Sequence, residues 1–447
     1  MFLSLVLLGL CICFIILHLT PRRPKNFPPG PPVLPILGNI LHLNLKNPLE
    51  DFEKLRKSYG NVYSLFLGPR PSVVINGVKA MKEAMIQAPQ SILSGVLRST
   101  YAEVGTFPLT DCDVLCSCTM LFCAIVSNIS FTGKTLTPQI MFHNVASNIM
   151  CQVVFGTRYE YDDEFITTIV QSAIEITKAA NGPWTTLYSS FPWIRKLPLP
   201  FNKSFKRCSD LVLQSLNEHK KTRVPGEPRD FLDSEDSTFS EDKLIFTAID
   251  LMIAGTDTTS NTLLTAFLYL INHPHIQERC QQEIDRVLEG KDQVCFDDRH
   301  QMPYVQAVIH EVQRIANTVP LSVFHCTTKD TELAGYSIPK GTRIIQNLTT
   351  VLKEEGQWKY PHEFNPGNFL NDQGEFVKPD AFMPFSAGPR VCLGEGLARM
   401  ELFLIMVTLL RKFKFIWPED TGEPDYTPVF GITMTPKPYP MKVQHRL

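Results

Sequence analysis

Residues 240–272 contain no proline and are apolar on nearly every side. As a helix rising 1.5 Å per residue, this stretch would be about 50 Å long. A helix this apolar has to be buried in a large core or in lipid. Asp242, Lys243, Asp250 and Asp257 count against lipid. Ser240 followed by Glu241 and Asp242 marks its start, with an N-cap hydroxyl and two acids in the first turn. The rest of the chain must therefore surround a helix that crosses a whole domain. Composition allows this: 44% of the 447 residues are hydrophobic and 20% charged, which excludes a wholly disordered chain. Length alone would suggest two or three domains, or one large one. A net charge of −2 leaves no basic footprint, so nucleic acid is not an expected partner.

Around this helix the pattern is mostly α with a smaller β part, an α+β chain. A helix is expected from Asp51 to Tyr59, then two short strands, VYSLFLG and PSVVING, about a Gly-Pro turn. Helical patterns dominate from Phe142 to Lys221 and recur near 275–288, 304–316 and 394–412. AGYSIPKGTRIIQNL reads as a hairpin turning at Pro339, Lys340 and Gly341. At the N-terminus, residues 2–19 are apolar and carry no Asp, Glu, Lys or Arg, and Arg22, Arg23 and Lys25 follow at once. That predicts a transmembrane anchor over residues 1–20 with the body on the cytosolic side. A cleaved signal fits less well, because the basic leader and the small-x-small site are missing. Residues 21–35 form a proline-rich hinge that cannot be helical, and residues 36–447 form the domain. The 12 cysteines show no paired spacing, which fits a reducing compartment.

The stretch with the most chemistry is Phe385-Ser-Ala-Gly388-Pro-Arg390-Val-Cys392-Leu-Gly394, ahead of the last expected helix. Gly388 and Gly394 permit tight turns and a close approach to a flat ligand. The oncoming helix N-terminus favours a thiolate. Arg390 can reach an anionic group on a ligand's rim. A single cysteine at a helix start is usually a buried structural residue, but here the whole string resembles the haem-thiolate loop of the cytochrome P450 superfamily, F-x-x-G-x-R-x-C-x-G, at every fixed position. The resemblance implies haem b as cofactor, Cys392 as the axial iron ligand, Phe385 packed near the sulfur and Arg390 on a haem propionate. Thiolate donation pushes electron density onto the iron.

Other segments agree with it. Ala254-Gly255-Thr256-Asp257-Thr258 lies midway along the long helix. Gly255 weakens that helix and Thr258 can bond back to a carbonyl, which would open a groove. By resemblance Asp257 and Thr258 are the oxygen-activating acid–alcohol pair, with Ala254 beside the haem. Glu311 and Arg314 match the family's E-x-x-R, a buried structural pair, and Asn368 stands where its third member is commonly Arg or His. His325 resembles a second propionate contact. Ile249, Met252, Leu321, Val323 and Phe430 would line an apolar pocket above the iron. The anchor, the PPGPP hinge and NVASNIMCQVVFG resemble vertebrate microsomal family-2 members.

The likeness fails over residues 88–133. Members carry a helix there with W-x-x-x-R, whose Trp and Arg hold propionates. This chain has tryptophan only at 184, 193, 358 and 417. Its place is taken by a cysteine-rich apolar run, read as the mark of a replaced or skipped exon. The leading functional reading is a membrane-anchored monooxygenase of the endoplasmic reticulum. It would insert one atom of O2 into small apolar substrates such as fatty acids and xenobiotics. No G-x-G-x-x-G follows a strand, so electrons would come from a separate protein, by resemblance NADPH-cytochrome P450 reductase, with cytochrome b5 as a helper. The alternatives are a haem-poor, non-catalytic scaffold, a reductase-independent isomerase or peroxygenase, and, more distantly, a structural zinc protein built on Cys112, Cys116, Cys118 and Cys123.

Overall fold

A computed structural model describes residues 22–87, 94–95, 119–120, 122–124, 126–127, 130, 135–180, 201–222, 231–233 and 240–446. The expected anchor and most of segment 88–133 lie outside these residues. Among the described residues, no helix is long and apolar enough to cross a membrane.

In chain order the elements are α1 (Leu49–Tyr59), β1 (Val62–Leu67), β2 (Arg70–Asn76), the short α2 (Gly77–Lys82), β3 (Ser94–Gly95), α3 (Gln139–Phe155), α4 (Glu164–Ala180), α5 (Phe201–Thr222), α6 (Glu241–Asn272), α7 (Pro274–Val287), α8 (Pro303–Ala316), β4 (His325–Cys326), β5 (Thr331–Leu333), β6 (Tyr336–Ile338), β7 (Arg343–Asn347), α9 (Leu348–Leu352), α10 (Glu395–Lys412), β8 (Phe413–Ile416) and β9 (Lys442–His445). The fold is mostly helical with a smaller β part, as the sequence predicts.

Helix α6 is the axis. Ser240 caps it, its Oγ accepting the Lys243 N–H at 3.4 Å. Farther along, Leu263, Leu264 and Phe267 are fully buried. Phe267 stacks on Phe142 of α3 at 5.1 Å and meets Phe415 of β8 edge-on at 4.6 Å, arrangements that suit the ring quadrupoles. A Cβ on Gly255 would lie 2.2 Å from the Met150 sulfur of α3. Gly255 therefore lets two helices touch; it does not open the groove expected there.

One sheet has the order β1-β2-β7-β4-β3, with β2 and β7 parallel and the other neighbours antiparallel. The expected hairpin over 334–348 does not form. Tyr336–Ile338 pairs with Thr331–Leu333 instead, and Arg343–Asn347 becomes an inner strand of the large sheet. The reason is burial: Ile344 and Ile345 point to opposite faces and both are covered, Ile344 with Val73 and Ile75, Ile345 with Leu65 and Val74. A two-stranded hairpin would leave one of those faces in water.

Candidate functional site

The cysteine loop leaves the core at Phe382 and Met383, both buried, and returns to it along α10. Gly388 has φ +73°, and a Cβ there would meet the Met85 carbonyl oxygen at 1.9 Å. Only glycine satisfies both conditions. Ser386 also takes a positive φ, 66°, and its Oγ donates to Gln346 Oε1 at 2.6 Å, which pins the loop to β7. The Cys392 N–H donates to the Phe385 carbonyl at 3.0 Å. Gly394, by contrast, has a negative φ, −80°, open to any residue, and a Cβ there would only touch the Cys392 sulfur at 3.9 Å. Its role is room beside the sulfur, not backbone freedom.

The Cys392 side chain is open to solvent. The protein packed around it nonetheless raises the thiol pKa, against the Gly394 N–H, which favours the thiolate. An accessible sulfur with protein on most sides lies in a concavity. The Phe385 ring sits 5.3 Å from the Arg399 guanidinium, which also bonds Glu395 at 2.6 Å and His310 Nε2 at 2.6 Å. Burial and Arg399 together lower the His310 pKa to about 3.

Ala254 is exposed midway along the otherwise buried α6, and Thr258 one turn later is half-exposed. The Thr258 hydroxyl donates to the Ala254 carbonyl at 2.6 Å. Thr262, the next turn, is 3.0 Å from the Thr318 hydroxyl. Residues 318–325 then carry the chain to His325 of β4. Asp250, one turn before Ala254, is half-buried, and burial lifts its pKa to about 6.

His325 is buried and its Nδ1 donates to the Val323 carbonyl at 2.7 Å. Burial lowers its pKa, and so does the charge of Arg390. The fold thus brings Arg390 and His325 together from the loop and the sheet. Val323 is exposed, and Leu321 and Phe430 are partly so. Ile249 and Met252 are instead packed into the main core, away from the accessible face.

Asp257 does not face its neighbour Thr258. Its Oδ2 accepts from Thr433 Oγ1 at 2.5 Å and from Asn261 Nδ2 at 3.1 Å. Its Oδ1 lies 3.6 Å from His143 Nε2. The other ring nitrogen of His143 donates to the Gln139 carbonyl at 2.8 Å. Sequence reasoning missed His143, Thr433 and Asp250. His143 and Thr433 lie more than 100 positions from Asp257 in the chain, and nothing local marks them.

Glu311 and Arg314 form a bidentate pair at 2.7 and 2.8 Å, both 0% exposed. The guanidinium also donates to the carbonyls of Leu352, Tyr360, Pro361 and Glu363. Asn368 Nδ2 donates to both Glu311 oxygens, at 3.2 and 3.3 Å, and Asn368 Oδ1 accepts the Tyr360 N–H. An amide thus fills the third place of the network with hydrogen bonds and no charge. Breaking one side of such a buried pair costs about 3–5 kcal/mol.

An open thiol at a helix N-terminus, in a chain that also holds a long central helix and a buried Glu–Arg–Asn network, is the set of features that the sequence associates with a haem-thiolate protein. A sequence profile of the cytochrome P450 family matches residues 28–107 and 113–443. Cytochrome P450 2C3 of Oryctolagus cuniculus is 36% identical over 482 aligned residues, covering 97% of this chain and 98% of the relative. Cytochrome P450 2F2 of Mus musculus is 37% identical, covering 93% of each chain. Cytochrome P450 2J2 of Homo sapiens is 37% identical, covering 95% of this chain and 91% of the relative. The chain belongs to the cytochrome P450 family. It is an oxidoreductase of the monooxygenase type whose cofactor is haem b. Most of segment 88–133 falls inside the profile match although it lacks W-x-x-x-R; only residues 108–112 stand outside.

Proposed function

We propose that the Cys392 thiolate would hold the haem iron in a membrane-anchored monooxygenase of the endoplasmic reticulum acting on apolar substrates. The observation that carries this is the Cys392 sulfur, accessible yet enclosed, at the N-terminus of α10. Two further features fit a flat macrocycle bearing carboxylates. Ala254 presents the smallest chiral side chain on the accessible face of α6. Arg390 lies close enough to His325 to disfavour the imidazolium, and a propionate beside the two would bond the Arg390 guanidinium and favour the charged imidazole.

Bound haem supplies the iron at which O2 is reduced and one oxygen atom passes to the substrate. The protein supplies the rest. Gly388 and Ser386 hold the loop so that the Cys392 thiolate points outward, and the helix N-terminus stabilises its charge. Arg390 and His325 hold the rim of the ring. Thr258 Oγ1 lies on the accessible face, bonded to the Ala254 carbonyl, and would offer its proton on releasing that bond. Asp257, the acid of the pair by resemblance, is held in the core by Thr433, Asn261 and His143. Val323, Leu321 and Phe430 line the apolar mouth. Asp250 adds a carboxyl that titrates near pH 6 on the same helix face. Residues 2–19 anchor the body on the cytosolic side, where an NADPH-dependent reductase supplies electrons, with cytochrome b5 as an accessory donor. Long-chain fatty acids and xenobiotics are the substrate classes.

The test is the ferrous–CO absorption spectrum of the full chain expressed in membranes with added haem. A Soret band at the red-shifted thiolate position, lost in Cys392→Ser, is the expected result. A band at the nitrogen-ligated position, or none, overturns the assignment and favours the haem-poor scaffold, for which the missing W-x-x-x-R speaks.

A further inference from the structure

The large sheet has two faces, and the cysteine loop uses one of them. His325, Ile344 and Gln346 lie on that face, where Ser386 bonds Gln346. Arg343 lies on the other. The register sets it opposite Ser72 of β2 and Cys326 of β4. These three side chains therefore share a face with Leu65, Val74 and Ile345, an apolar cluster.

Arg343 is only 7% exposed, and among the described residues its Nη1 has no hydrogen-bond partner. Ser72 beside it is fully buried, and its hydroxyl has no partner among them either. The Phe324 ring lies 5.5 Å from the guanidinium. The nearby charge is another cation, Arg70, at the turn between β1 and β2. Among the described residues no carboxylate is a charged neighbour of Arg343; burial and Arg70 lower its pKa, and Cys326 offsets this in smaller part. A guanidinium stripped of water and set beside a second one calls for a carboxylate or phosphate, whose oxygens match its fork of donors.

The surroundings indicate what carries that anion. The chain before α1 runs along β1: Gly38 bridges to Leu67, and the Asn39 N–H donates to the Phe66 carbonyl at 2.6 Å. Ile40, Leu43 and Leu45 pack into the same cluster as Leu65 and Ile345. Leu34, Ile36, Leu37 and Leu41 from this segment are exposed to between 37% and 69%. Arg343 and Ser72 thus share a sheet face with the cluster into which this segment packs, and the segment's remaining apolar side chains are open to the outside.

We propose that Arg343, Arg70 and the Ser72 hydroxyl form an anion-binding subsite for the carboxylate or phosphate head group of an apolar-chain lipid, whose chain lies along Leu34, Ile36, Leu37 and Leu41. The subsite is on the sheet face away from Cys392 and does not depend on the haem assignment.

The full chain in detergent is titrated with sodium palmitate and with dioctanoyl phosphatidylglycerol, with dioctanoyl phosphatidylcholine as the neutral-head control. Binding is read by calorimetry and by the rise in the thermal midpoint. Arg343→Met keeps the side-chain bulk and removes the buried charge. We expect it to lose at least tenfold in affinity for an anionic probe while its own midpoint does not fall. Binding of palmitate in the pocket over the haem is common to both proteins, so the difference isolates this subsite. Loss for palmitate alone assigns a free fatty acid carboxylate. Loss for phosphatidylglycerol alone assigns a membrane phosphate. Loss for both supports the shared chemistry. Equal affinity of the variant and the parent for both probes overturns the proposal. Should Arg343→Met fail to fold, Ser72→Ala and Arg70→Gln serve in its place. Each is expected to weaken anion binding three- to tenfold, and unchanged binding in both overturns the proposal equally.

Discussion

Glu401 shows how far a single buried group can set the behaviour of this protein. It lies on α10, nine residues beyond Cys392, and is 1% exposed. Among the described residues neither carboxyl oxygen has a hydrogen-bond partner of good geometry, Thr259 being the nearest donor. Burial pushes its pKa up to about 8, and the neighbouring Thr259 hydroxyl offsets this only in part. The folded protein therefore keeps a proton on Glu401 that the unfolded chain, with a pKa near 4.5, gives up. Between those two values the folded state binds more protons, so this group's contribution to stability falls as pH rises from about 4.5 to 8. Glu401→Gln should remove that slope and raise stability at pH 8 by roughly 2–4 kcal/mol relative to the parent. Urea midpoints at pH 5 and pH 8 measure it, and an unchanged difference between the two midpoints would contradict the reading. Asn368 makes the complementary point. It replaces a charged member of a buried network, and the structure shows why that works: the amide donates to Glu311 and accepts from Tyr360 in the same position.

At the scale of elements, the contact between α3 and α6 decides the shape of the site. Gly255 admits the Met150 side chain to a distance no Cβ would allow. Gly255→Ala should therefore destabilise the protein by about 1–3 kcal/mol through overpacking, even though alanine is the better helix former. Gly255→Ala combined with Met150→Ala should recover most of the loss. Thermal or urea midpoints of the two variants check this, and a single variant as stable as the parent would show that the helices can separate freely. The inner strand Arg343–Asn347 carries a second lesson. Its sequence reads as one arm of a hairpin, yet the strand pairs with residues 72–76 and 325–326. Local turn chemistry sets where the chain bends. Which strand it then joins depends on what is available to cover both of its faces.

At the scale of the molecule, the body begins with a proline-rich hinge held against the sheet. Ser64 Oγ donates to the Pro28 carbonyl at 2.7 Å, and Asn39 Nδ2 donates to the Pro32 carbonyl at 2.6 Å. The hinge is thus part of the folded body, so an anchor before it would set the orientation of the whole domain. Removing residues 2–21 should release the protein from carbonate-washed membranes while leaving the ferrous–CO spectrum in place. A truncated protein still retained as fully as the complete chain would count against residues 2–19 as the anchor. The alignment with the rabbit relative spans 482 positions against a chain of 447 residues, so it opens gaps in this chain. That agrees with a polypeptide shorter than its relatives.

The sequence by itself determined what short-range chemistry controls. The cap at Ser240, the length of α6, the cysteine loop, the Glu311–Arg314 spacing and the place of Asn368 all depend on residues a few positions apart, and all were legible. The tertiary structure alone decided what depends on residues that meet from far along the chain. It turned Asp257 toward His143 and Thr433, set Met150 against Gly255, packed Ile249 and Met252 into the core, and left Arg343 buried opposite Ser72 with no carboxylate beside it among the described residues. Local spacing fixes which side chains lie on one turn or one strand. Only the packing of the whole chain fixes what each of them faces, because burial and pairing are set by the elements that close over it.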